Sequence, residues 1–239
     1  MVYKCPCRYF LKGVILTKDK TGKIVVSHED EKIYMIMEGN MDNKTIHWQD
    51  WVPMLERELT VEMQKAPSPS EVHAKDHILR VLRRCIRLGE KLGADLEILV
   101  AAVYLHDLGR HYIDDKAHGA LSALKAEPVL ERIHFPHKKR ETVLHTIRVH
   151  DVSATSEDRI TLESKILYDA DKIDTLGVVG VLRYIRHFYG RKPIDYMLND
   201  IDARWEGLAL DETRNLALQD YNYIKNYFTQ LKRELGPDA

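Results

Sequence analysis

The residues best suited to chemistry stand at the end of a long apolar run. Eight apolar residues, 98–105, are followed directly by His106 and Asp107. A segment that is apolar on every side is typical of a protein interior, where an ionised carboxylate is costly unless it is paired or binds a metal. A histidine beside an aspartate offers a nitrogen and an oxygen ligand to a divalent cation. The alternative is a core histidine hydrogen-bonded to a capping aspartate, and the pair alone leaves both interpretations open.

Two further sites share this mixture of apolar sequence and polar chemistry. Asp171 lies in the largely apolar segment 165–181 together with Asp169 and Asp174. Asp171 and Asp174 are three residues apart and so share a helix face, whereas Asp169 points elsewhere and could cap or brace. His77 begins a segment with an apolar period of about 3.6 residues, which predicts that it opens an amphipathic helix.

Helices dominate the elements that must position these groups. The pattern predicts helices over 51–65, 76–92, 96–108, 118–124, 138–149, 162–185 and 212–235, with Pro128 interrupting the fourth and Gly236-Pro237 ending the last. Strands and helices do not alternate, so this part of the chain is predicted to be an all-α bundle.

The first 46 residues have a different pattern. Short, partly β-branched apolar segments at 10–17, 23–27 and 33–37 are separated by turn-like residues, which predicts a small antiparallel sheet. Cys5 and Cys7 form a C-x-C, but no second cysteine pair completes a recognisable zinc site. Because residues 67–70 (Pro-Ser-Pro-Ser) are typical of a loop, we expect a β appendage with a connecting helix over 1–66 and a helical domain over 67–239.

Taken in order, these residues resemble the HD-domain superfamily of metal-dependent phosphohydrolases. The family pattern is an early histidine, an adjacent His-Asp on a second helix and a distant aspartate on a later one, and the flanking sequences DHILRV, AAVYLHDLGR, HGALSA and KILYDADKIDTLGVVGV are also similar to it. The resemblance covers residues 72–186 and is closest to a branch of small, mostly uncharacterised predicted hydrolases. It implies a mainly α fold, the HD-domain helical bundle, with a metal held by His77, His106, Asp107 and Asp171.

The ligand atoms of these four residues are of the kinds that bind divalent metals. Two imidazoles and two carboxylates suit Mn, Fe, Co, Ni, Zn or Mg, and ligand softness alone selects none of these. Some relatives bind a second metal through additional histidines, and His118, His145 and His150 stand where those would fall, with Asp107 as the bridge. The alternative is that His118 caps a helix, His145 packs in the core and His150 is a cation at a helix C-terminus.

Further charged residues near the motif are candidates for contact with substrate. Arg80 lies one turn after His77, Arg110 follows the His-Asp pair and Lys172 adjoins Asp171, so each could bind phosphate or pair with a carboxylate instead. Asp107 and Asp174 are candidate catalytic residues, the latter as a general base or as a brace for a ligand.

Composition restricts the partners and the cellular location that the protein could have. The formal net charge is -1 with 31% charged residues, which gives no global signal for nucleic acid or an acidic membrane. No apolar run approaches the roughly 18 residues of a membrane-spanning helix, and the N-terminus lacks the pattern of a signal peptide. Three cysteines do not form a disulfide framework. We therefore expect a cytoplasmic protein, which could form a homo-oligomer.

The expected activity is metal-dependent hydrolysis of a phosphate monoester or diester of a nucleotide or a related small molecule. Two alternatives stay open at this stage. One is a di-iron HD-type oxygenase, and the other is a non-catalytic, metal-stabilised domain that senses a nucleotide.

Overall fold

The computed structural model describes residues 14–18, 24–28, 47–66, 75–113, 118–151 and 153–236. The chain divides into two compact units, residues 1–46 and 47–239. Among the described residues, no helix combines the length and the apolar character that crossing a membrane requires.

In the first unit, two strands form an antiparallel pair. Strand β1 (Val14–Lys18) pairs with β2 (Ile24–His28), with Leu16 opposite Val26. The third predicted strand, at 33–37, lies outside the described residues, as do Cys5 and Cys7. The β appendage as a whole therefore stays a prediction.

The second unit is helical, as predicted. Its helices are α1 (Trp48–Lys65), α2 (Lys75–Leu92), α3 (Leu96–Leu105), α4 (Gly119–Arg132), α5 (His137–Arg148), α6 (Leu162–Ile173), α7 (Gly177–Phe188), α8 (Ile194–Glu206) and α9 (Asp211–Leu235), with a 3₁₀ turn at Leu108–His111 between α3 and α4.

Helix α3 forms the centre of the larger core. Every residue from Ile98 to Leu105 is buried, in agreement with a segment that is apolar all round. Asp95 begins the helix, since its carboxylate accepts hydrogen bonds from the backbone N–H groups of Glu97 and Ile98. Helices α1, α2, α5 and α6 pack around α3, so the residues that follow its C-terminus enter the interior.

The division between the units differs from the boundary that we expected after residue 66. Helix α1 belongs to the helical unit, because Trp51, Leu55 and Leu59 are buried in the same core as α3. The helix also begins a turn earlier than predicted. His47 is its N-cap, and the Asp50 carboxylate accepts a hydrogen bond from the His47 backbone N–H at 3.0 Å.

The segment predicted as one helix over 162–185 is two helices. Helix α6 ends at Ile173, and α7 begins at Gly177, which has a φ of +67°. A Cβ at this residue would also lie 2.7 Å from Asp220 Oδ1, so both the backbone and the space favour glycine. The chain turns here into a second, smaller core formed largely by α7, α8 and α9.

Two other helices depart from the sequence pattern. Helix α4 continues through Pro128, whose missing N–H leaves the carbonyl of Leu124 without its helical donor. Leu124 is on the exposed face, where water can satisfy that carbonyl. Helix α8 was not identified from the sequence. Helix α9 ends at Leu235, and Gly236 follows with a φ of +96°, so the predicted stop at this glycine is confirmed.

Candidate metal centre

The ends of three helices bring the predicted metal ligands together. His77 is in the first turn of α2, His106 and Asp107 follow α3, and Asp171 is in the last turn of α6. The Nε2 atom of His77 lies 3.3 Å from Asp171 Oδ1 and 3.7 Å from Asp107 Oδ2. His106 Nε2 lies 3.3 Å from the same oxygen of Asp107. Ligand atoms of His77, His106 and Asp107 lie within 4.8 Å of one another, and Asp171 adjoins this group through His77.

The other oxygen of Asp107 faces a second pair of imidazoles. His118, at the N-terminus of α4, places Nε2 2.8 Å from Asp107 Oδ1. His150, just after α5, places Nε2 3.7 Å from the same oxygen and 2.9 Å from His118 Nε2. Each oxygen of the Asp107 carboxylate therefore meets two Nε2 atoms, and the carboxylate is shared by both groups.

A close contact between α4 and α5 brings His118 beside His150. A Cβ at position 119 would lie only 2.5 Å from the backbone oxygen of Arg148. Because a side chain there would push the N-terminus of α4 away from the C-terminus of α5, glycine is needed next to His118.

Hydrogen bonds fix the tautomers of three of the histidines. The Nδ1 atoms of His106 and His150 lie 2.7 and 2.6 Å from the carbonyl oxygens of Val103 and Ile147. The Nδ1 atom of His77 lies 2.8 Å from Asp174 Oδ2. Carbonyl and ionised carboxylate oxygens only accept hydrogen bonds, so each Nδ1 carries the proton. In a neutral ring, Nε2 then presents a lone pair to the centre, which is the form that ligates metals.

Burial and charge set the protonation of the centre. Burial lowers the pKa of His150 to about 4, with Asp107 opposing and the neighbouring His106 and His118 adding to the effect. His150 is therefore a neutral imidazole near pH 7. Burial would raise the pKa of Asp171, but Lys172 and His77 hold it well below its usual range. Asp171 is consequently an ionised carboxylate.

These donors fit a divalent cation. His106 Nε2 is buried and has no hydrogen-bond partner among the described residues, although a buried polar atom ordinarily has one. Imidazole nitrogens and carboxylate oxygens converge on a region from which water is largely excluded, and this mixed set suits a first-row transition metal or Mg.

Asp174 occupies the opposite side of the His77 ring. It is fully buried and binds the guanidinium of Arg80 through two hydrogen bonds of 2.8 and 2.9 Å. Arg84 and Arg183 each donate a further hydrogen bond of 2.5 Å. Burial would raise the pKa of Asp174, but His77 and these arginines hold it far below its ordinary value. The carboxylate therefore fixes the orientation of the His77 ring through its Nδ1 atom, on the side away from the metal-binding group.

The family comparison agrees with this geometry. The HD domain family model matches residues 75–176. The chain carries an HD domain. The family that the sequence resembled is thus confirmed for the region that holds all the residues of the two groups.

Known proteins with similar sequences or folds extend the comparison beyond the HD domain. An uncharacterized protein of Bacillus subtilis, YpgQ, is 26% identical over 185 residues, covering 71% of this chain and 88% of that protein. The crystal structure of YpgQ in complex with ADP superposes with a TM-score of 0.58 at 23% identity, covering 79% of this chain and 98% of the other. An HD-superfamily hydrolase from Bacillus thuringiensis gives a TM-score of 0.62 at 19% identity, with 79% and 98% covered. These structures share the fold of the helical unit.

Within the HD domain, some candidate residues lie away from the two groups. His145 belongs to neither of them among the described residues. Helix α5 ends at Arg148, so the chain has turned before it reaches His150, and only His150 enters the centre. Arg80 is bound to Asp174 rather than directed at the Nε2 side of His77. Asp174 itself is not placed to act as a general base, because arginines and His77 surround both of its oxygens.

The other two basic candidates adjoin the centre. Lys172 donates to Asp171 Oδ2 at 2.6 Å and to the carbonyl oxygen of His150 at 3.2 Å, and its side chain is buried. Arg110 Nε lies 3.7 Å from Asp107 Oδ1, and its side chain is 23% exposed. Lys172 therefore orients Asp171, one of the candidate metal ligands, whereas the side chain of Arg110 extends from the centre towards solvent.

Several residues that support the site were not predicted from the sequence. Asp151 accepts a hydrogen bond from the backbone N–H of Gly119 and lies 3.7 Å from His118 Nδ1. The signal was present, because His150-Asp151 repeats the His-Asp pair of the motif. Arg84 and Arg183 carried no such signal, since their contacts with Asp174 depend on how α2 packs against α6 and α7.

Proposed function

We propose that this protein is a metal-dependent phosphohydrolase that acts on the phosphate ester of a nucleotide or a related small molecule. The observation that carries the proposal is the Asp107 carboxylate, whose two oxygens each face two imidazole Nε2 atoms inside an HD domain. The structural neighbour from Bacillus thuringiensis described as an HD-superfamily hydrolase supports the hydrolytic activity. The complex of YpgQ with ADP supports the nucleotide.

The residues divide between two cations. His77, His106, Asp107 and Asp171 would hold the first, while Asp107, His118 and His150 would hold the second. A divalent cation supplies Lewis acidity towards a phosphoryl oxygen and lowers the pKa of a bound water from about 15.7 towards roughly 7.

The protein itself supplies orientation and charge. We assign Arg110 as a substrate contact, because its guanidinium is partly exposed beside Asp107 and can bind a phosphate through two hydrogen bonds. Lys172 positions Asp171, and Asp174 positions His77. The buried histidines exclude bulk water from the region where the phosphoryl charge would develop, which strengthens its interaction with Arg110.

The first experiment measures metal content by elemental analysis of the purified protein, followed by a panel of phosphate monoesters and diesters assayed with that metal. Asp107→Ala should remove metal and activity together and leave the helical circular-dichroism spectrum intact. Glu131→Ala, which removes an exposed acid of α4, is the matched control and should keep both. Full turnover by metal-free Asp107→Ala protein would contradict the mechanism.

The sharing of Asp107 by both groups also favours a second candidate, a di-iron oxygenase. The two are distinguished by metal identity and by oxygen. A phosphohydrolase releases phosphate at the same rate under argon as in air, whereas an oxygenase requires two irons per chain and consumes oxygen. Binding of nucleotides without turnover across the whole panel would instead indicate a sensor.

A further inference from the structure

A cavity lies on the side of α2 that faces α9, and its walls do not include the metal-binding groups. It has a volume of about 200 Å³. Arg83, Arg84 and Arg87 line it from α2, and Asp220 lines it from α9. Three guanidiniums against one carboxylate give the cavity a surplus of positive charge.

The two outer arginines line surfaces that also include Asp220 and Glu90, but they form no ion pair with either carboxylate. Arg83 and Arg87 are exposed, and neither forms an ion pair with any carboxylate in the described part of the chain. They are four residues apart, so they project from the same face of α2 one turn apart. Two cations held at that spacing repel each other unless an anion lies between them.

At the inner end of the cavity, Arg84 also belongs to a group with more positive than negative charge. It shares the Asp174 carboxylate with Arg80 and Arg183, so three guanidiniums surround one negative charge; Asp76 adds a more distant carboxylate near Arg80. The side chain of Arg84 is only 24% exposed. Because Asp174 fixes Arg84 in place, its donors are already oriented, and an anion would lose little free energy in ordering them.

We propose that this cavity is a binding site for a small phosphorylated anion, separate from the metal centre. Arginine suits this role because its planar fork matches phosphate oxygens with paired hydrogen bonds. The rest of the wall is apolar, from Ile173, Leu216 and Ala217, so the organic part of a phosphate ester has a surface to contact. The ligand is inorganic phosphate or a small phosphate ester. The inference does not depend on the proposed hydrolysis.

Isothermal titration calorimetry of the purified, metal-containing protein tests the site with two probes, inorganic phosphate and AMP, at constant ionic strength. Asp107→Ala disables the metal centre and should retain one phosphate-binding event. The double variant Arg83→Ala/Arg87→Ala should bind phosphate at that event at least tenfold more weakly. Tighter binding of AMP than of phosphate by Asp107→Ala would identify an ester as the ligand, and equal binding would identify the free anion.

The matched control is Lys91→Ala/Lys138→Ala, which removes two exposed positive charges outside the cavity. It should bind phosphate as the wild type does. Three results would overturn the proposal: unchanged binding by the double arginine variant, an equal loss in the lysine control, or no phosphate binding by Asp107→Ala. The last would assign all binding to the metal centre, and the proposed hydrolase would stand without this site.

Discussion

The helical unit contains two His-Asp pairs with the same local geometry, His106-Asp107 after α3 and His150-Asp151 after α5. In each pair the histidine follows the C-terminus of a helix and donates Nδ1–H to the carbonyl three residues earlier. Both histidines are completely buried, and both present Nε2 to the carboxylate of Asp107.

The aspartates differ. Asp107 makes no side-chain cap of the 3₁₀ turn that it precedes, and its two oxygens face four imidazoles. Asp151 accepts hydrogen bonds from the backbone of Gly119 and from the backbone and hydroxyl of Ser153. Burial would raise the pKa of Asp151, but these donors hold it below its ordinary value.

The surroundings of a His-Asp dipeptide, and not its two residue types, therefore decide its role. A carboxylate satisfied by N–H and O–H donors is structural, because its charge is already stabilised. A carboxylate that faces several imidazole nitrogens is instead suited to sharing a cation with them. Four predictions test this comparison.

The largest effect is expected for Asp107→Asn. Removing the shared charge should abolish metal binding at both groups and reduce phosphate-ester hydrolysis to background, as measured by elemental analysis and a steady-state assay. Asp151→Asn, made in parallel, should keep both. Equal losses in the two variants would mean that the pairs do not differ as the geometry indicates.

The second-largest effect is on metal content, and it distinguishes His150 from His145. His150→Ala should lower the metal content from two ions to one per chain, because His150 faces Asp107 Oδ1. His145→Ala should leave two ions bound, since that ring belongs to neither group. Elemental analysis of both variants measures the difference, and loss of metal from His145→Ala would restore the prediction from sequence.

A third, smaller effect is expected on metal affinity when the support for His77 is removed. Asp174→Asn removes the carboxylate that orients the ring, and loss of such a partner typically lowers metal affinity by about 10- to 100-fold. Asp202→Asn is the control, because Asp202 pairs with Lys225 and Tyr221 and belongs to neither group of metal-binding residues. Competition with a chelating dye measures the affinity. Unchanged affinity in Asp174→Asn would show that His77 needs no support from this side.

The smallest effect is expected for the stability of Asp151→Asn. The carboxylate caps the N-terminus of α4, and loss of a cap costs roughly 1 kcal/mol. In a unit of this size that corresponds to a fall of about 2–4 °C in the melting temperature, measurable by differential scanning calorimetry. A fall above 10 °C would indicate that Asp151 also supports the metal centre.

Much of the fold and the centre could be predicted from sequence, for identifiable physical reasons. An apolar segment such as Ile98–Leu105 has one stable location, the core, so α3 and the polar pair after it followed directly. His77, Asp171 and His118 followed from the resemblance to the HD family, whose model matches this region. Their distances from Asp107 are set by packing between helices and could not be obtained from the order of residues.

Other features depended on contacts between distant segments. The periodicity of 162–185 continues across the break, and only the positive φ of Gly177 reveals the turn. Helix α1 was predicted to be a connector because the sequence after it, 67–70, is Pro-Ser-Pro-Ser, yet Trp51 and Leu55 are buried in the core. The contacts of Arg84 and Arg183 with Asp174 were not predicted, because arginine is ordinarily a surface residue.

The ligands extend over about half of the helical unit, from His77 on α2 to Asp171 on α6, and Asp174, which orients His77, is 97 residues away from it along the chain. A cation bound among them would cross-link segments that are distant in sequence. Closing so long a loop in the unfolded chain carries a large entropic cost. Metal loading should therefore report on the folding of this region: fragments that lack α2 or α6 would bind fewer ions, and protein without metal would unfold more readily than protein with metal.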